Sequence, residues 1–74
     1  MFKVKLIAWP ADDIDFKVKS VLTPDLAAQV EVMTRNWPRD PNFTEVGIFT
    51  ENLPLAQVLA VEFKGKIWNT VAPH

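Results

Sequence analysis

The sequence predicts an α+β domain, a single helix packed on an antiparallel sheet in the order β-β-α-β-β-β. Three observations carry this. Short stretches of period-two alternation recur along the chain. One stretch near the middle opens with a helix-capping signature and continues at helical spacing. The connections between stretches are too short for parallel crossovers, so neighbouring strands pair antiparallel.

Residues 2–9 alternate Phe2, Val4, Leu6 and Ala8 with Lys3, Lys5, Ile7 and Trp9, and Pro10 stops the run. Trp9-Pro10-Ala11-Asp12-Asp13 makes a connection, and alternation restarts with Ile14, Phe16 and Val18 against Asp15, Lys17 and Lys19. The two runs predict a hairpin. Thr23-Pro24-Asp25 then reads as a helix start: Thr caps, Pro takes the first helical position, and Asp suits the positive helix end. Leu26, Val30, Met33 and Trp37 form one apolar stripe, which Pro38 ends. Pro38, Asp40, Pro41 and Asn42 form a rigid polar loop. Residues 44–50 alternate again, until Asn52-Leu53-Pro54 breaks the pattern. Residues 57–63 read as a central apolar strand, Lys64-Gly65 as a tight hairpin turn, and residues 66–71 as the last strand, followed by the tail Ala72-Pro73-His74.

Seventy-four residues make one domain, 1–74. A chain this short buries about 60% of its unfolded surface, so it needs a dense core or a partner. Its 49% hydrophobic residues and its five Phe and three Trp supply one. The mean hydropathy of +0.05 leaves apolar residues over for an interface. With no cysteine there is no disulfide framework and no thiolate metal site. The opening Met-Phe-Lys-Val-Lys lacks the apolar stretch of a signal peptide, and no run approaches the roughly 20 apolar residues of a spanning helix. The expectation is a cytoplasmic protein with no membrane partner.

Phe-Lys-Val-Lys occurs at residues 2–5 and again at 16–19, and Phe63-Lys64-Gly65-Lys66 echoes it. These stretches hold six of the eight basic residues in a chain of formal net charge −1. As strands, they place Lys3 and Lys5, and Lys17 and Lys19, on the face away from the helix, with Trp9 beside them. Lysines directly opposite one another destabilise a sheet. Interleaved carboxylates such as Asp15, Glu45, Glu51 or Glu62 relieve this, or an anionic partner does. Lysines beside exposed aromatics are also what a single-stranded nucleic-acid surface uses, and Phe49 and Trp68 are candidates to join Trp9, although Trp68 fits the core equally well. A pI near 5.7 argues against broad nucleic-acid affinity. Trp37-Pro38-Arg39 is a second candidate contact, since Trp and Arg are typical interface anchors; as a helix residue, Trp37 also fits the core.

Catalytic provision is poor. Tyr is absent, the one histidine is terminal, Ser20 is the one serine, and the only glycines are Gly47 and Gly65. Asp12, Asp13 and Asp15 cluster, but without the glycine and distal glutamate of a calcium loop, so they read as turn residues. No catalytic residue, metal or cofactor is expected.

Glu45-Val46-Gly47-Ile48-Phe49, Val58-Leu59-Ala60-Val61 and Lys64-Gly65-Lys66-Ile67-Trp68-Asn69 together resemble the ending of several small phage-encoded α/β proteins. In those, a helix precedes a meander whose turn reads Gly-Lys-x-Trp. They include some anti-CRISPR inhibitors of type I effector complexes. The Pro-rich loop and acidic middle of this chain depart from that pattern. The resemblance implies a stoichiometric inhibitor acting in a host cytoplasm on a nucleic-acid-handling complex, and it matches Lys64, Lys66 and Trp68. The functional expectations are therefore three: an inhibitor that binds a protein partner through Lys3, Lys5, Lys17, Lys19 and Trp9, or through Trp37 and Arg39; a nucleic-acid-binding module using the lysine face; or a self-associating protein, a homodimer through an edge strand.

Overall fold

The computed structural model describes residues 1–9 and 12–70. Its elements are β1 (Phe2–Ala8), α1 (Ile14–Ser20), α2 (Pro24–Ala27), β2 (Glu31–Asn36), β3 (Thr44–Thr50), α3 (Leu53–Glu62) and β4 (Lys66–Asn69). The fold is α+β, with one main helix, α3, against a four-stranded antiparallel sheet. Strand order is β2-β3-β1-β4. This is the split βαβ layout, a β-α-β-β-α-β chain whose first crossover here consists of two short helices.

The predicted β-β-α-β-β-β order is corrected in three places. Residues 14–20 form α1, not a strand. Ile14 and Val18 are buried at helical i, i+4 spacing, while Phe16 is 69% exposed. An apolar triplet at i, i+2, i+4 satisfies both periods, and local chemistry decides between them. Asp13 caps the helix by accepting from the Phe16 amide at 3.1 Å, and Lys19 reaches Asp15 one turn back at 3.2 Å.

The helix predicted from Thr23 starts as expected: the Thr23 hydroxyl accepts from the Leu26 amide at 3.3 Å, and Pro24 sits in the first turn. It stops at Ala27 because Val30, Val32 and Thr34 are β-branched at period two and continue into β2. Residues 53–62 form α3, not a central strand. Asn52 caps it, accepting from the Leu55 amide at 3.2 Å. Leu55, Ala56 and Leu59 enter the core, and Ala60 and Phe63 pack against it. This is helical spacing, masked in the sequence because Val58 and Val61 on the outer face are apolar too.

The predicted Lys64-Gly65 hairpin turn is instead the end of α3. Lys64 takes a left-handed φ of 55°, and the Gly65 amide donates to the Ala60 carbonyl at 2.9 Å, a Schellman arrangement. The predicted hairpin of strands one and two is replaced by pairings of β1 with β3 and with β4. The Pro10 stop, Val71 and the tail fall outside the described residues. No helix among the described residues is long and apolar enough to cross a membrane.

All helices share one side of the sheet. Between them and the strands lies an aliphatic core: Val4, Leu6 and Ala8 of β1, Val46 and Ile48 of β3, Ile14 and Val18 of α1, and Leu55, Ala56 and Leu59 of α3. Register aligns Val4 with Ile48 and Leu6 with Val46 across the central pair. Among the described residues no helix covers the opposite face of the sheet.

Candidate functional site

Strand alternation sends every second residue of each strand to the open face. The register arranges these in rows. Trp68, Lys3, Phe49 and Glu31 form the first, and Lys66, Lys5, Gly47 and Met33 the second. Ile7, Glu45 and Arg35 form the third. Beyond the strand ends, Phe43 lies between Trp9 and Trp37, with ring centroids 4.5 and 5.8 Å away. The loop after Trp37 is held by Asp40, whose carboxylate accepts from the Asn42 amide at 2.9 Å.

Of the residues singled out from the sequence, Lys3, Lys5, Trp9, Lys66 and Trp37 thus share one surface. Trp37 lies there because it follows β2, and its predicted place at a helix end is corrected. Lys17 and Lys19 do not belong to this face. They sit on α1, on the helix side, paired with Asp12 at 3.3 Å and Asp15 at 3.2 Å. Lys64 lies in the turn after α3, and Arg39 is exposed in the loop. Sequence patterning does not place Arg35 and Met33 on this face, because residues 31–36 also fit a helical stripe, and Phe43 lies in the loop just before β3. Period-two alternation of Val30, Val32 and Thr34 is the signal that finds Met33 and Arg35; alternation running back from Glu45 is the one that finds Phe43.

The like-charge problem expected between neighbouring lysines is real, but its members differ. Lys5 faces Lys66 directly across the β1–β4 pair. Relief comes from Glu45, one of the predicted interleaving acids. Its side chain is only 4% exposed, and its carboxylate accepts from Lys5 Nζ at 3.0 Å and from Arg35 Nε. The hydrogen bond from Arg35, then that from Lys5, holds the Glu45 pKa down at about 2, against the opposing effect of burial. Lys3 is accommodated differently, over the Phe49 ring at 5.6 Å. Gly47 makes room: a Cβ there would lie 3.0 Å from Lys3 Cε and 3.0 Å from Phe49 Cε2. Among the described residues no carboxylate lies within ion-pair distance of Lys66.

The depressed pKa of Glu45 makes stability depend on acid. A carboxylate with a lowered folded pKa stabilises the fold above its unfolded value, and that contribution is lost as pH falls toward the folded value. The loss therefore belongs between about pH 4.5 and 2. Urea unfolding at stepped pH checks this: Glu45→Gln is expected to flatten the acid limb in that window. An acid limb of unchanged steepness would show that the triad carries no linkage.

Two features give the face its chemical character. Trp9 and Trp68 are 57% and 54% exposed, although small domains ordinarily use tryptophan to fill their cores. Charge is also divided. The open face carries Lys3, Lys5, Arg35 and Lys66 against Glu31 and Glu45, a net +2, while the other four cations and seven carboxylates leave the remainder at −3. At the β1–β4 end, Lys3, Lys5, Trp68, Asn69 and Thr70 line an open groove of about 290 Å³. No group of three acidic or histidine side chains among the described residues is placed to hold a metal ion. Comparison with family models, with curated proteins and with solved structures finds no match to this chain.

Proposed function

We propose that this is a non-enzymatic binding protein whose contact surface is the open face of the sheet, and that its partner presents negative charge there. One observation carries this reading. The fully buried core under the helices is aliphatic, with Phe2 and Phe63 only at its edge, whereas all three tryptophans lie on the uncovered face among four cations. Trp, Phe, Met and Arg are the residue types that interfaces favour, and Trp9, Phe43, Trp37, Met33 and Arg35 gather at one end. That end favours a second form of the reading, in which the partner is a protein and the chain acts as an inhibitor covering a host complex, as the resemblance implies.

Retention on an immobilised polyanion tests the assignment. Lys3→Gln/Lys66→Gln and Lys17→Gln/Lys19→Gln remove equal charge from opposite sides of the sheet. The first pair is expected to elute at clearly lower salt than wild type, and the second to elute close to it. Greater loss with the second pair would place the anion surface on the helices.

A further inference from the structure

We propose that the groove along β1 and β4 seats a single-stranded nucleic acid, with a base stacked on Trp68 and phosphates held by Lys3, Lys5 and Lys66. This rests on the open-face reading and names its partner.

The register supplies the arrangement. Trp68 stands directly across from Lys3, and Lys66 across from Lys5, so one exposed ring adjoins Lys3 and Lys5 in a single groove, with Lys66 next along β4. Single-strand surfaces join the same two parts, because every base has a flat face to stack and every nucleotide brings a phosphate. The face offers a second ring in the same direction. Trp9, just past the end of β1, follows Lys3 by six residues, about 20 Å at the strand rise. Ile7 lies between them on the same face, and the carboxylate across from it, Glu45, is already paired with Lys5 and Arg35.

Other occupants fit less well. A second copy laid face to face would oppose two surfaces of net +2. A duplex hides the base faces that Trp68 would stack on, and a flat sheet offers no helix or ribbon to enter a major groove. An acidic peptide satisfies the lysines but gives the exposed indole no matching plane.

Three lysines on a single strand predict a slope of about −2 in log affinity against log salt. The test follows tryptophan fluorescence while wild type is titrated with an oligothymidylate of about ten nucleotides, at salt between about 50 and 200 mM. Polyglutamate of similar length is titrated in parallel. The expected result is quenching by the oligonucleotide. Trp68→Ala should weaken binding roughly 5- to 150-fold, from the usual worth of one stacked base. Lys66→Gln should flatten the salt slope by about 0.7, and Lys17→Gln/Lys19→Gln should change neither. Trp68→Leu keeps an apolar residue at the edge strand and should lose the same affinity. Binding of polyglutamate but not of the oligonucleotide would overturn the nucleic-acid inference and leave the open-face reading standing. Binding of neither would overturn both. Oligonucleotide binding insensitive to Trp68 and Lys66 would overturn the groove.

Discussion

Leu59→Ala is expected to cost about 2–5 kcal/mol of folding stability, and Val61→Ala less than about 0.5 kcal/mol. Leu59 is fully buried on the inner face of α3, against β1 and β3, while Val61 is 82% exposed on its outer face. For 74 residues the whole folding free energy is roughly 4–11 kcal/mol. Losing Leu59 therefore removes a large fraction of it, lowering Tm by about 8–40 °C. The pair also decides between the helix and the apolar strand that the sequence suggests. In a strand, residues 59 and 61 point the same way, and both substitutions would be costly. Denaturant melts of the two variants give the answer, and equal large losses would contradict α3.

Gly65→Ala is expected to destabilise by about 1–3 kcal/mol and to disturb the groove as well. A Cβ on Gly65 would lie 2.8 Å from Val4 Cγ1 and 2.9 Å from the Lys5 carbonyl oxygen. The second neighbour is backbone, so the strain is relieved only by moving β4 away from β1. That movement carries Trp68 and Lys66 with it. The preceding residue predicts the opposite sign. Lys64 holds a left-handed φ of 55° that costs a side-chain-bearing residue about 1–2 kcal/mol, so Lys64→Gly is expected to stabilise. Thermal melts read both effects, and a neutral Gly65→Ala would show that β1 and β4 are not so closely apposed.

The sequence was legible where one face of an element is polar. In β1 and β3, clean alternation set the strand and its parity, and so Lys3, Lys5 and Trp9 could be placed together in advance. Local capping was legible too: Thr23 and Pro24 start a helix as read. What failed were segments whose pattern satisfies two periods. Ile14, Phe16 and Val18 suit a strand face, but only Ile14 and Val18 are buried, as a helix requires. Residues 53–62 are apolar apart from Gln57 and Glu62, so the sequence carries little period to read there, and Asn52 with Pro54 in the first turn are its start signals. The candidate face inherited these errors. Lys17 and Lys19 left it with α1, and Arg35 and Met33 joined it with β2. Pairing β1 with β4 rather than with residues 14–20 is a long-range choice, made by the shared core.

The division of the sheet into a covered aliphatic face and an open face bearing the tryptophans among cations is tested most directly by collisional quenching of the wild-type protein. Iodide and caesium ions report both exposure and local charge. The structure predicts red-shifted emission, ready quenching of two of the three tryptophans, and stronger quenching by iodide, drawn to Lys3 and Lys5 beside Trp68. Blue-shifted, quencher-resistant emission, or a preference for caesium, would contradict it.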